Sequence, residues 1–335
     1  MQTLMKKVPE LSILIGLSIV AYFVMGAFNQ VEDAAGLTGD GAFVLVLASF
    51  VLSTMIAIIA VIAGVGGGVL FTPIMMAFTS IDTLIIRSTG LVVAMFSGLV
   101  SSGPFMRKGL ADVKIVFYCA IPIILGGMLG SYAAIALSEV MGAQGDAIVR
   151  LLLGLILVFI AILFIVGGSN TEYPEVKKVS PFSAWVNLKG AYYEESLGQV
   201  VHYQSTRVGL GGLLFLLVGF TGGFFGLGGG WAVVPVLNLV MTTPLKVSAA
   251  GSGVLLAMGN SAAIWPYIKY GALIAALAAP WMLGQVIGGI MGAHILARVK
   301  ANFIRYVLIV LLFLTSFKLI ARGLETMLGI DIPVL

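Results

Sequence analysis

The chain of 335 residues is 60% hydrophobic and only 10% charged, and its mean hydropathy is +1.13. Soluble domains carry about 25% charged residues, so this composition excludes an ordinary soluble fold and predicts an integral membrane protein. The net charge of +4 does not indicate a nucleic-acid partner, because the basic residues lie in short connections between apolar runs. We therefore expect a lipid bilayer around the chain and no nucleic acid.

The first apolar run covers residues 11–28 and follows Lys6 and Lys7. No small-residue cleavage site follows it, so we expect a membrane-anchor helix rather than a signal peptide. The rest of the chain divides by composition and by an internal repeat. The predicted units are an N-terminal helix and periplasmic loop (1–42), a first membrane repeat (43–168), a cytoplasmic linker (169–207), a second membrane repeat (208–322) and a tail (323–335).

Two glycine-rich elements of the same design define the repeat. Gly64-Val65-Gly66-Gly67-Gly68 precedes Pro73, and Gly226-Leu227-Gly228-Gly229-Gly230 precedes Pro235 at the same spacing. The match continues downstream, where Thr89-Gly90 corresponds to Ser252-Gly253, Ser97 to Asn260, and Pro122, Gly126 and Gly130 to Pro280, Gly284 and Gly288. The two halves therefore share one plan.

Each half contains a long apolar segment, a glycine break, a short apolar segment and three more long segments. The first half gives 43–63, 68–79, 83–103, 113–138 and 147–168, and the second gives 208–225, 230–241, 245–267, 272–296 and 302–321. This pattern predicts an all-α polytopic bundle with glycine-broken helices, two repeats of five segments and one N-terminal helix. The short segments are ambiguous, because twelve residues reach only about 18 Å.

Loop charge predicts how the two repeats are oriented. With Lys6 and Lys7 in the cytoplasm, five crossings per half place the basic residues 107–114 inside and the acidic loop with Glu139 and Asp146 outside. If the short segments did not cross, the basic residues would lie outside, against the positive-inside rule. An odd number of crossings gives the repeats inverted topology, a plan found in secondary transporters.

The linker 169–207 carries most of the polar residues between the repeats. We expect it to be an ordered cytoplasmic linker. Alternatively, its aromatic residues could form a small amphipathic helix on the membrane or a regulatory contact. These residues are Phe182, Trp185, Tyr192, Tyr193 and Tyr203.

The glycine breaks are the first candidates for a binding site. A break in an apolar helix frees backbone groups that lipid cannot satisfy, and a helix that restarts there directs N–H groups and its positive dipole end at the gap. Such an end suits an anion near the membrane midplane. The residues concerned are Gly66, Gly67, Gly68, Gly228, Gly229 and Gly230. The alternative is close helix packing, which we expect for Gly126, Gly130, Gly284, Gly288 and Gly292.

The acidic residues favour an anionic cargo. All fourteen lie in tails, loops or segment edges, whereas cation and proton pathways place carboxylates deep in the membrane. The single cysteine, Cys119, and two histidines leave no metal-binding pattern, and we expect no metal and no cofactor. A phosphate loop is excluded as well, because no G-K-[ST] follows the glycines.

Several polar side chains could line the anion path. Arg87 lies near the start of a segment, where it can reach water and either bind an anion or extend to the interface. Ser88, Thr89 and Ser252 could donate to an anion or act as helix caps. Asn260 and Gln285 lie within apolar segments, where they could bind substrate or join helices. His294 could couple protons or form a structural hydrogen bond.

The paired G-x-G-G-G elements with their prolines resemble the TauE/SafE family of bacterial membrane transporters, and the resemblance covers about residues 43–321. It implies secondary transport of sulfite or an organosulfonate such as sulfoacetate across the bacterial inner membrane, by alternating access coupled to a proton or ion gradient. A passive anion channel and a membrane sensor or scaffold that uses residues 169–207 are the alternatives. The sequence shows none of the motifs of a hydrolytic enzyme, so we expect no catalytic residues.

Overall fold

The computed structural model describes residues 39–63, 66–107, 109–166, 179–194, 198–296 and 301–329. The predicted N-terminal helix at residues 11–28 lies outside the described residues.

The first half begins with α1 (Gly39–Ala63) and the short helix α2 (Gly68–Phe78), which are separated by the glycine break. α3 (Thr83–Arg107) and α4 (Val113–Val166) follow. The aspartates before α3 and α4 cap them, since Asp82 Oδ1 accepts from the Leu84 N–H at 2.8 Å and Asp112 Oδ1 accepts from the Lys114 N–H at 2.8 Å. Both helix starts can therefore be located from the sequence.

α4 contains both of the segments predicted for 113–138 and 147–168, joined by a tighter turn than the expected acidic loop. Its 54 residues form two helices that meet at Gly142, where φ is 50° and ψ is −127°. Glycine tolerates this non-helical conformation, and the chain folds back there, since a Cβ at Gly145 would lie 2.8 Å from the Leu137 carbonyl oxygen. The connection is shorter than the expected loop, so Glu139 lies on the first of these helices and Asp146 lies on the second, just beyond the turn.

The connecting segment contains a six-residue helix, α5 (Pro181–Val186), and an antiparallel hairpin. β1 (Lys189–Glu194) pairs with β2 (Gln199–Gln204), with Lys189 opposite Gln204. The hairpin was not predicted. It is fixed by contacts with the membrane part, because the Tyr203 hydroxyl donates to Asp112 Oδ2 at 2.6 Å and Lys246 Nζ lies 2.5 Å from Glu194 Oε1.

The second half repeats the order of the first. α6 (Val208–Phe225) precedes the second break, and α7 (Val233–Pro235) continues into a π-helical turn over Val236–Val240. α8 (Leu245–Tyr270), α9 (Ala275–Leu296) and α10 (Ala301–Leu328) complete it. The second short segment is therefore helical over fewer residues than α2.

Five helices in the described part of the chain are long and apolar enough to cross a bilayer. Their outer faces remain apolar, as shown by the exposed Phe117, Ile121, Leu125 and Leu129, which recur every fourth residue along α4. This stripe matches a lipid-facing surface, since water would disfavour it. The structure confirms an all-α, multi-pass membrane protein. The spans are Thr83–Gly103, Val113–Leu163, Val208–Phe225, Leu245–Tyr270 and Ala275–Gly292.

Two helix pairs that cross between the halves pack in the same way. α4 runs along α6, where side chains at Gly126 and Gly130 would strike the carbonyl oxygens of Leu216 and Phe220. α9 runs along α1, where a Cβ at Gly284 would lie 2.8 Å from the Phe50 carbonyl oxygen. The increasing residue numbers show that each pair is parallel. The predicted packing role of these glycines is confirmed, since backbones approach closely only where no side chain intervenes.

Corresponding helices of the two halves pack against each other in opposite directions. α3 meets α8 so that a Cβ on Gly98 would lie 2.9 Å from Leu256 Cβ, whereas a Cβ on Gly253 would lie 2.7 Å from Ser102 Cβ. The later part of α4 meets α10 in the same antiparallel sense, with Gly154 beside Ile320 and Gly323 beside Leu151. Each of these helices is therefore antiparallel to its own counterpart in the other half.

Candidate functional site

The structure brings the two glycine breaks together inside the bundle. A Cβ on Gly66 would lie 3.8 Å from Gly230 Cα, and one on Gly68 would lie 2.5 Å from the Leu227 carbonyl oxygen. Gly66 and Gly228, which occupy equivalent places in the repeat, have φ of 79° and 66°. Both conformations are left-handed, so the repeat extends to the backbone geometry of the breaks.

The first break is held by polar side chains from both halves. The Gly67 N–H donates to Ser97 Oγ of α3 at 3.0 Å. Gln285 of α9 places its carboxamide directly against Gly67, and its Nε2 lies 3.2 Å from Ser53 Oγ and 3.3 Å from the Ser53 carbonyl oxygen on α1. Since Gly67 and Ser53 both contact Gln285, the start of α2 lies beside the middle of α1.

The second break borders a small cavity. Asn260 is its one polar side chain in the described structure, and a Cβ on Gly228 would lie 3.0 Å from Asn260 Nδ2. Glycine lines much of the remaining wall, and the space suffices for about one water molecule. Asn260 is 5% exposed, and its Nδ2 has no hydrogen-bond partner among the described residues. The lining glycines are Gly127, Gly219, Gly222, Gly229 and Gly259.

Unpaired buried N–H groups recur in the described part of the membrane bundle. They belong to Arg87 (Nε and Nη1), Arg150 (Nε), Trp231 (Nε1), Asn260 (Nδ2) and Trp281 (Nε1). Unpaired buried oxygens in the same helices are those of Thr89 and Gln285. A buried donor without a partner costs free energy, so an interior with a surplus of donors is suited to groups that only accept hydrogen bonds, as anions do.

Arg87 does not reach water as the sequence suggested. Its side chain is fully buried, and Nη2 lies 2.8 Å from Thr83 Oγ1 and 3.4 Å from Asp146 Oδ1. The alternative prediction, that the Arg87 side chain extends to the membrane interface, was also wrong, because the start of α3 is buried against other helices. The ion pair could not be predicted while Asp146 was assigned to an external loop. The backbone of Arg87 borders the second break, where a Cβ on Gly226 would lie 2.5 Å from the Arg87 carbonyl oxygen.

The other predicted residues are less central. Ser88 Oγ lies 2.9 Å from the carbonyl oxygens of Ile85 and Ala272, and Ser252 Oγ donates to the Ala249 carbonyl at 2.8 Å, so both hydroxyls bind backbone. Thr89 Oγ1 is buried without a hydrogen-bond partner among the described residues. His294 belongs to α9, but its side chain lies outside the described structure.

Sequence reasoning did not identify Ser53, Gly127 or Trp281. Ser53 Oγ donates to the Trp281 carbonyl at 2.7 Å and contacts Gln285, so it joins α1 to α9. Trp281 packs edge-on against Phe71 of α2, with ring centroids 4.4 Å apart. Gly127 could have been identified from the sequence, since the repeat alignment places it at the position of Gln285.

Comparisons with known proteins identify the family of this chain. Residues 47–319 match the model of the family described as sulfite exporter TauE/SafE. The chain is also similar to the probable membrane transporter protein YunE of Bacillus subtilis (strain 168). The two are 23% identical over 287 residues, which cover 82% of this chain and 99% of the relative. No solved structure shows significant similarity. The chain belongs to the TauE/SafE family of membrane transport proteins.

Proposed function

We propose that this protein is a secondary transporter of a small oxyanion, sulfite or an organosulfonate such as sulfoacetate, in the bacterial inner membrane. It works by alternating access driven by a proton or ion gradient. The observation that carries the proposal is the meeting of two glycine breaks beside the unpaired N–H group of Asn260. The family description names sulfite, and the donor-rich interior favours a ligand that accepts hydrogen bonds.

The local charge also supports an anion. None of the residues that line the cavity is acidic, and the first break contacts Ser97 and Gln285, which are uncharged. α2 begins at Gly68, so its N-terminal dipole end lies beside the breaks. Arg87 adds a buried positive charge next to Gly226, although Asp146 offsets part of it. Within the proposed site Arg87 therefore contributes positive charge at the edge of the second break.

The helix directions support two inverted repeats. In an inverted pair related by a two-fold axis, each helix that meets its own counterpart must run antiparallel to it, as α3 and α8 do. The helix pairs α4–α6 and α9–α1, which pack between the halves, are equivalent in such an arrangement. In alternating access the halves exchange conformations, and these two pairs would exchange conformations with them. Because the cavity has room for about one water molecule, an anion larger than water requires the halves to separate.

Reconstitution into liposomes tests the transport proposal. Sulfite, sulfoacetate, sulfate and acetate are supplied outside, and an imposed proton or sodium gradient is compared with no gradient. We expect sulfite or sulfoacetate to accumulate above its external concentration only when the gradient is present. Flux that only equalises the two concentrations would indicate a channel, and flux no faster than in protein-free liposomes would overturn the proposal.

A further inference from the structure

The repeat alignment and the structure together define two equivalent triads at the centre of the protein. Each triad joins a break glycine, a polar residue on the third helix of the same half and a residue on the fourth helix of the other half. The first triad is Gly67, Ser97 and Gln285, and the second is Gly229, Asn260 and Gly127. The members of each triad lie together, the first through the contacts of Gly67 and the second around the cavity.

The two triads differ in one decisive respect. In the first, the carboxamide of Gln285 fills the space beside Gly67. In the second, the equivalent residue is Gly127, which has no side chain, and a cavity remains beside Gly229 and Asn260. The cavity therefore lies at the place that the carboxamide of Gln285 occupies in the other half.

We propose that this cavity receives one oxygen atom of the transported anion, with Asn260 Nδ2 as its hydrogen-bond donor. Gln285 closes the equivalent place at the first break, so each chain binds one anion and not two. This inference rests on the proposed transport of an oxyanion and adds the location, orientation and stoichiometry of binding.

The chemistry of the cavity fits an oxygen of a sulfite or sulfonate group. The donor side chain is buried, and apart from Asn260 the wall consists of glycine, alanine, leucine and isoleucine residues. Water is largely excluded from such a space, which strengthens a hydrogen bond to a charged oxygen. In the first triad the Oε1 atom of Gln285 occupies the space beside Gly67, so a protein oxygen takes the position that an anion oxygen takes in the second.

Gly127→Gln is the direct test, because it places in the second triad the side chain that closes the first. A Cβ at Gly127 would lie 3.1 Å from Ala263 Cβ and 3.5 Å from the Gly259 carbonyl oxygen, so the first atom of the new side chain requires a small adjustment. Sulfite and, separately, sulfoacetate are titrated calorimetrically into the purified full-length protein in detergent. We expect one site per chain in the wild type and binding weakened at least about tenfold in Gly127→Gln, since the loss of one hydrogen bond to a charged group corresponds to roughly 10- to 100-fold.

Asn260→Leu is the second variant, and it keeps the test valid if Gly127→Gln does not fold. It removes the donor with little change in volume, so it is expected to weaken binding by a similar factor. Gln285→Gly is the reciprocal variant. We expect it to keep the anion site beside Asn260 and to gain a second, weaker anion site beside Gly67. Wild-type affinity in a folded Gly127→Gln or Asn260→Leu protein would overturn this inference while leaving transport intact. Failure of the wild type to bind sulfite or sulfoacetate would overturn the proposed function with it.

Discussion

Gln285 on α9 packs its carboxamide against the backbone of Gly67 in the glycine break of the opposite half. The same side chain holds Ser53 of α1 through Nε2, at 3.2 Å from Oγ. The hydroxyl of Ser53 in turn donates to the Trp281 carbonyl at 2.7 Å. One amide therefore contacts the first break and links the helix before it to a helix of the second half.

The first prediction concerns the glycines between α4 and α6. A methyl group at Gly130 would strike the Phe220 carbonyl oxygen, whereas one at Gly103 of α3 would meet no atom within 4 Å. Gly130→Ala should therefore separate the helices and lower the melting temperature, with a destabilisation of about 1–3 kcal/mol. Gly103→Ala is the matched control and should be neutral or stabilising by up to about 1 kcal/mol. Equal melting temperatures for the two variants would refute the packing assignment.

A second prediction concerns the ion pair of Arg87 and Asp146. Asp146→Ala leaves a fully buried guanidinium without its carboxylate, which is more costly than removing both charges. We expect Asp146→Ala to melt at a lower temperature than the double variant Arg87→Met/Asp146→Ala. The measurement is thermal unfolding of the detergent-solubilised protein at one pH and salt concentration. A double variant less stable than Asp146→Ala would contradict the prediction.

A third prediction concerns the hydrogen bond that anchors the first glycine break. Ser97→Ala removes the acceptor of the Gly67 N–H, which leaves that donor buried without its partner. A loss of stability of about 1–3 kcal/mol is expected. Ser101→Ala serves as the control, because the Ser101 hydroxyl donates to the Gly98 carbonyl of its own helix at 3.0 Å. The two unfolding curves should differ, and coincident curves would show that Ser97 does not hold the break.

The fourth prediction is a pH effect in the hairpin. Burial and the hydrogen bond to Asp112 raise the pKa of Tyr203 above its ordinary value of 10.0. The folded protein then keeps a proton that the unfolded chain loses, so the contribution is present below pH 10 and is lost as the pH rises above it. Stability of the wild type should fall above about pH 10 more steeply than that of Tyr203→Phe.

Tyr193→Phe is the control for this effect, because Tyr193 is an exposed neighbour on the same hairpin. Its stability should follow the wild-type pH profile. A Tyr203→Phe variant with the wild-type slope above pH 10 would show that the phenol of Tyr203 does not carry the effect.

The membrane architecture and the meeting of the breaks were predictable from the sequence because both depend on patterns that repeat. Apolar length predicted the spans, and the matched glycines and prolines identified the two breaks as equivalent elements of a repeat. Asp82 and Asp112 are also local signals, because aspartate is a common cap at the start of a helix. These signals are local, so they remain visible without knowledge of the packing.

Other features depend on tertiary contacts that the sequence pattern does not contain. The acidic residues near Gly142 indicated a connection between two helices, but not that it is short enough to put Asp146 on the second helix, where it pairs with Arg87. The hairpin could not be predicted either, because Tyr203 and Glu194 owe their places to contacts with Asp112 and Lys246. The cavity required both kinds of information, since only the repeat alignment shows that Gly127 stands where Gln285 does.

The most direct test of the central claim compares thermal unfolding of the wild type and Asn260→Leu across a series of anions. Sulfite, sulfoacetate, sulfate and acetate are added at equal ionic strength. We expect sulfite or sulfoacetate to raise the melting temperature of the wild type, since a ligand at about 100 times its Kd adds roughly 2.7 kcal/mol of stability. The same anion should leave Asn260→Leu almost unchanged. Equal stabilisation of both proteins, or of neither, would contradict an anion site beside the paired glycine breaks.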